Sequence, residues 1–197
     1  FAGYGPLETA RDVLELIEGL GLRRVVIVGN SFAAASAVWV AAEAPKGTIA
    51  GVAMLGPFAW DHPMGFGVPT LLRVLMLPCW SSMMWASFYK GLYKDHKPAD
   101  LAQYVKGVKA NIAQSGRVAA LKGCMFGLKK PCADRLPEVA ASGVPVLSIW
   151  GSKDPDFPKG IESEVAEMKR FLPQVQCVTL EGVGHYPQGE MPQECAK

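Results

Sequence analysis

The stretch Val25-Val26-Ile27-Val28-Gly29-Asn30-Ser31-Phe32-Ala33-Ala34-Ala35 (VVIVGNSFAAA) decides the fold. Residues 24–29 (RVVIVG) hold an unbroken β-branched run, the pattern of a strand buried on both faces of a sheet. Residues 32–44 are alanine-rich and almost free of charge, which reads as a buried helix. The change from strand to helix falls to Gly29, Asn30 and Ser31. So short a turn needs small neighbours and lifts Ser31 above the carboxyl end of the strand. The same residues would also suit a plain turn in which Ser31 caps the helix.

Outward from this corner, the chain alternates helices and strands. Residues 7–20 (LETARDVLELIEGL) space Leu7, Ala10, Leu14, Ile17 and Leu20 by three or four, an amphipathic helix with Pro6 at its start and Gly19 and Gly21 near its end. Residues 48–56 (TIAGVAMLG), 145–151 (PVLSIWG) and 176–182 (QCVTLEG) read as three further strands. Residues 160–172 (GIESEVAEMKRFL) read as a helix with an acidic start and a basic end, as the helix dipole favours. Strands that alternate with helices argue an α/β class with a predominantly parallel sheet covered by helices on both faces. Between the second and third strands, residues 58–137 are rich in Met, Trp, Phe, Tyr and Pro, with short helical runs and no clear strand. The expected division is therefore 1–57 as core, 58–137 as a helical insertion, and 138–197 as core.

Composition narrows the class of function. With 197 residues, half of them apolar and 19% charged, the chain is long enough to bury one sizeable core. A net charge of +2 gives no ground for a nucleic-acid partner or an anionic membrane. In the most apolar part of the insertion, the longest uncharged window, 74–89, is interrupted by Pro78 and falls short of a span of roughly 20 residues. The five cysteines are scattered, odd in number and without CxxC spacing. This pattern argues against a zinc site and fits reduced, mostly buried thiols, which leans towards an intracellular compartment. His62 and His96 have no further ligands at metal-binding spacing, so no metal is expected.

Two loops give the corner serine a chemical context. After the third strand comes Gly151-Ser152-Lys153-Asp154-Pro155-Asp156-Phe157-Pro158, and after the fourth comes Gly182-Val183-Gly184-His185-Tyr186-Pro187. A serine hydroxyl is a weak nucleophile at neutral pH. It needs an imidazole to take its proton, and the imidazole needs a carboxylate to fix its tautomer. Ser31, Asp154 and His185 each follow a strand, and in a parallel sheet the carboxyl ends of the strands share one rim.

On these motifs (Gly-Asn-Ser at the corner, G-x-K-D-P-D-F-P and G-x-G-H-Y-P) the chain resembles the α/β-hydrolase fold family over nearly its whole length. The resemblance implies a nucleophile elbow, written here Gly29-Asn30-Ser31-Phe32-Ala33 with alanine at the second glycine position. It implies Ser31 as nucleophile, His185 as base and Asp154 as acid, with the Phe32 N–H as an oxyanion donor and no cofactor. Asp156 is an alternative acid, and so is Asp61, because some members carry the acid after the preceding strand. The family has about eight strands, whereas four are legible here, matching its last four. The expectation is a piece of a longer protein, a poor enzyme as it stands because a second oxyanion donor lies on an earlier loop. Loss of one such donor reduces rate by roughly 10²–10³.

The insertion occupies the place of the family's cap, and its most apolar part is 71–93. Trp80, Met83, Met84 and Trp85 are its candidates for lining a substrate, since Met and Trp make an adaptable apolar surface. The expected substrate is small and apolar, an ester first. A serine nucleophile disfavours chemistry that runs through an aspartyl ester, whereas carbon–carbon bond hydrolysis and acyl transfer use the same three residues. The alternative is a non-catalytic relative that binds a small molecule or protein with the same pocket.

Overall fold

The computed structural model describes residues 3–63 and 65–197. Its centre is a sheet of four parallel strands in sequential order. These are β1 (Val25–Asn30), β2 (Ile49–Leu55), β3 (Val146–Gly151) and β4 (Gln176–Leu180). All lie within one or two residues of the segments expected from the sequence. Asn30 pairs with Leu55, Leu55 with Ile149, and Gly151 with Leu180. That register brings the residues just after each strand to one rim.

Helix α1 (Pro6–Gly19) starts on a proline, which has no amide N–H to leave unpaired, and α2 (Ala33–Glu43) follows the corner. The two pack on each other, and α2 packs on β1 and β2. Its alanines allow this close approach, and Ala34, Ala35, Ser36, Ala37, Val38, Val40 and Ala41 are all buried. The buried helix expected over 32–44 is thus found. Between β2 and β3 the regular elements among the described residues are helices: α3 (Val68–Leu75), α4 (Ser81–Gly91), α5 (Leu101–Ile112), α6 (Arg117–Phe126), α7 (Lys130–Ala133) and α8 (Leu136–Ser142). Helix α4 packs on α5, while α7 and α8 return to α2. Helix α9 (Glu162–Phe171) carries Glu162 and Glu164 in its first turn and Lys169 and Arg170 in its last. Two single-turn helices, α10 (Pro187–Glu190) and α11 (Pro192–Cys195), end the chain. One continuous core joins Ile17, Val38, Met54, Leu136, Trp150 and Met168.

Two expectations are corrected. β1 is not covered on both faces: Val26 and Val28 are 60% and 62% exposed. β1 pairs only with β2, and α2 covers the face of Val25 and Ile27, leaving the other face open among the described residues. The thiols are also not mostly buried. Only Cys132 is, whereas Cys79 is exposed and Cys124, Cys177 and Cys195 are intermediate. No described helix is long and apolar enough to cross a membrane.

Candidate active site

Ser31 sits between β1 and α2 with φ of +57°, the left-handed region that an L-residue enters only at an energetic cost. Two backbone bonds on either side hold it there: its N–H donates to the Leu55 carbonyl at 3.0 Å, and its carbonyl accepts the Phe58 N–H at 3.0 Å. Gly29 makes the corner sterically possible. A Cβ there would lie 2.5 Å from the Ala33 carbonyl oxygen and 2.9 Å from the Ala34 nitrogen. The cap position of α2 belongs to Phe32, and no side chain caps the helix. Ser31 is therefore not a capping serine. In the first turn of α2 the Ala34 and Ala35 N–H groups donate to the Ser31 and Phe32 carbonyls at 3.0 and 3.1 Å, so the corner is also tied to the helix it starts.

His185 and Asp154 meet on the neighbouring loops. His185 Nδ1 and Asp154 Oδ2 are 2.7 Å apart, with side chains 2% and 0% exposed. Asp154 Oδ1 accepts the Asp156 N–H at 3.0 Å, which fixes the carboxylate within its turn. Asp156 Oδ2 lies 3.6 Å from the same imidazole nitrogen, beyond hydrogen-bond length, and its side chain is 21% exposed. Of the two neighbouring carboxylates, Asp154 is the one bonded to His185. Burial acts to lower the His185 pKa, but the Asp154 hydrogen bond and charge, joined by Asp156, outweigh it and hold the imidazole above its ordinary value. Burial is also the main cause that raises the Asp156 carboxyl, with Asp154 adding to it and His185 and Lys94 opposing.

The third candidate acid is committed elsewhere. Asp61 accepts the Lys129 and Lys130 N–H groups, each at 2.9 Å, at the start of α7. Among the described residues no hydrogen bond or ion pair joins it to His185. The Trp85 ring lies 5.0 Å from that of Phe88 at a tilt of 38°, and Trp85 lines an open groove of about 670 Å³ along α5, with Tyr104 and Ile112. Trp80 donates from Nε1 to the Val74 carbonyl at 3.1 Å, and its ring and Met83 are exposed, with Met84 half-buried.

Several residues around the site carry no signal that sequence reading weighs. Gly56, with φ of +50°, ends β2 directly against the pair. A Cβ there would lie 2.9 Å from the His185 carbonyl oxygen, 3.2 Å from Nδ1 and 3.4 Å from Asp154 Oδ2. Asn30 Nδ2 donates to the Leu55 carbonyl at 2.7 Å and reaches the His185 carbonyl at 3.4 Å. The Phe58 ring lies 5.8 Å from the imidazole. A glycine before a proline, as in Gly56-Pro57, is a general turn signal, and nothing in it points to His185. Among the described residues no hydrogen bond joins Ser31 Oγ to His185. In unliganded sites such bonds are commonly long and tighten only around substrate.

Asp154, Asp156 and His185 also bring potential metal-ligating atoms within 4.8 Å of one another. The His185–Asp154 hydrogen bond uses the same Nδ1, so a cation at this place would displace the proton that the pair shares.

A parallel sheet with a strained serine corner and a buried imidazole–carboxylate pair on one rim defines an α/β protein of the hydrolase type. The comparisons agree: the family model described as alpha/beta hydrolase family matches residues 1–197, and the chain belongs to that family. It is 28% identical over 187 residues to Lipase 1 of Psychrobacter immobilis, a match that covers 92% of this chain and 56% of the lipase. The chain thus spans little more than half the length of that relative. Among solved structures it resembles the 2-hydroxy-6-oxo-6-phenylhexa-2,4-dienoate hydrolase of Rhodococcus sp. strain RHA1, with a TM-score of 0.74 at 18% identity, covering 95% of this chain and 66% of the hydrolase. It also resembles a thermophilic esterase from Thermogutta terrifontis, with a TM-score of 0.68 at 19% identity, covering 98% of this chain and 70% of the esterase. At these identities the structural likeness speaks for the fold.

Proposed function

We propose that the protein is a serine hydrolase acting on carboxylic esters with apolar acyl or alcohol groups. The observation that carries the reading is the buried His185–Asp154 pair on the same rim as a serine with φ of +57°. Ser31 Oγ attacks the ester carbonyl while His185 Nε2 accepts its proton. Asp154 holds Nδ1–H and stabilises the imidazolium that forms. Negative charge on the carbonyl oxygen is met by the Phe32 N–H and by the positive end of the α2 dipole. The imidazolium then returns its proton to the departing alkoxide as the carbon–oxygen bond breaks, leaving an acyl-Ser31. Water, deprotonated by His185, attacks the acyl carbonyl, and the acid leaves as Ser31 recovers its proton.

The apolar preference is supported by the side chains exposed on α3 and α4 and on the turn between them, among them Leu71, Met83 and Trp80. These helices are the proposed cap over the rim. The lipase and esterase relatives support an ester as the bond cleaved. The test is a fluorophosphonate probe with peptide mapping of the adduct. Labelling of Ser31, abolished in Ser31→Ala, is expected. Absence of labelling on a folded protein would leave the non-catalytic binding reading in place.

A further inference from the structure

The histidine loop is anchored by a residue that the proposed chemistry does not use. Glu190, at the end of α10, is buried, and its carboxylate faces backbone amides. Oε1 accepts the Gly184 N–H at 2.7 Å. Oε2 accepts the Lys94 N–H at 3.0 Å and the His96 N–H at 3.3 Å. A buried carboxylate is expensive unless its lone pairs are filled, and three amide donors fill them with charge-assisted bonds.

The amides belong to two different parts of the molecule. Gly184 directly precedes His185, whereas Lys94 and His96 lie in the segment after α4. That segment runs along the histidine loop: the His185 N–H donates to the Leu92 carbonyl at 2.9 Å, and the Asp95 N–H donates to the Gly182 carbonyl at 3.2 Å. Asp95 Oδ2 also pairs with Lys153 Nζ at 2.6 Å, beside Asp154. The approach is close enough that a Cβ on Gly184 would meet the Leu92 carbonyl oxygen and Glu190 Oε1.

We infer that Glu190 is a positioning residue for His185, clamping the histidine loop to the segment 92–96 so that the imidazole faces Asp154. This rests on the proposed hydrolase reading only for its consequence in catalysis. The geometric claim concerns His185 itself. Two backbone bonds already join loop and segment, and the carboxylate of Glu190 adds a side-chain bridge between them at Gly184, Lys94 and His96. Helix α4 thereby gains a direct mechanical link to the histidine loop.

The test compares Glu190→Gln and Glu190→Asp with the unaltered protein by two readouts. One is the His185 imidazole titration followed by NMR, with Asp154, Asp156 and Tyr186 unchanged around the ring. The other is the rate of fluorophosphonate labelling at Ser31. Glutamine presents an NH₂ where one set of amides needs an acceptor. Aspartate keeps the charge but is too short to reach both sets.

The expected result is a His185 midpoint displaced downwards in both variants, less in Glu190→Asp, and labelling slowed by roughly 10- to 100-fold in Glu190→Gln, as misplacement of a catalytic group by about 1 Å can do. A folded Glu190→Gln that titrates and labels like the unaltered protein overturns the inference. So does a displaced Gln variant beside an Asp variant identical to the unaltered protein, since charge alone would then be at work. If Glu190→Gln fails to fold, Gly184→Ala, which wedges the same clamp, gives the same two readouts. If the unaltered protein does not label at Ser31, the hydrolase reading fails, and the His185 midpoint still decides the role of Glu190.

Discussion

Ser31 with φ of +57° makes a quantitative prediction about stability that needs no substrate. The variants to compare are Ser31→Ala and Ser31→Gly. Both lose the hydroxyl, so any difference between them comes from the Cβ. In the left-handed region a Cβ crowds the following carbonyl at a cost of about 1–2 kcal/mol, which glycine avoids. Glycine gives back about 0.4–1 kcal/mol through the greater freedom of its unfolded chain. Ser31 is only half-buried, so the lost methyl packing is small. The balance favours Ser31→Gly over Ser31→Ala by about 0.5–1 kcal/mol. Urea unfolding followed by circular dichroism measures it. With a slope of about 2–3 kcal/mol/M, the midpoint of the glycine variant should lie roughly 0.2–0.5 M higher. A midpoint for Ser31→Ala equal to or above that of Ser31→Gly would refute the strained corner and with it the physical basis for a serine lifted out of the strand. If the strain is real, the unaltered protein carries it as well, a stability given up where function requires the geometry.

The acid and the base make further predictions. In the proposed mechanism His185 must be neutral to accept the Ser31 proton, and its pKa is raised, so labelling at Ser31 should increase with pH through a midpoint above the ordinary value of about 6.5. By the same sign, the stability contributed by the His185 ion pair is present below that ordinary value and is lost as pH rises through the folded one. Asp154→Asn leaves the downward pull of burial opposed mainly by Asp156, so the His185 titration should move to lower pH, with a smaller movement for Asp156→Asn. A larger movement for the Asp156 variant would reverse the assignment of the acid. Asp61→Ala should lower stability by about 1 kcal/mol through loss of the two amide contacts at α7, with Ser31 labelling unchanged. Loss of labelling in a folded Asp61→Ala would instead tie that residue to the site.

The framework was legible because strands and helices leave periodic traces in the sequence. The β-branched run at 25–28, the uncharged stretch 49–55, the alanines of α2 and the acid-to-base gradient of α9 are local consequences of burial, close packing and dipole. Exposure of Val26 and Val28 was not legible, because a β-branched run states what the strand could pack against and not what lies beside it. The same limit applies to the cysteines, whose burial depends on neighbours from distant segments. Helix α3 was visible as apolar chain, yet it has no buried residue. Composition gave its character without its partner.

The site was legible by its chemistry and obscure in its support. Serine, aspartate and histidine carry reactive groups, so each announces itself after a strand. The end of β2 announces nothing, although it touches all three loops. The Leu55 carbonyl accepts both the Ser31 N–H and Asn30 Nδ2. Gly56 lies under the His185–Asp154 pair, and Phe58 bonds the Ser31 carbonyl while its ring faces the imidazole. These contacts are made by backbone atoms, by a missing side chain and by a hydrocarbon ring. None leaves a residue-type signature beyond Leu-Gly-Pro-Phe. The corner serine and the histidine are therefore held relative to each other by a third loop whose chemistry is silent. A substitution there such as Gly56→Ala would be expected to disturb the pair through backbone displacement, with every reactive group still present.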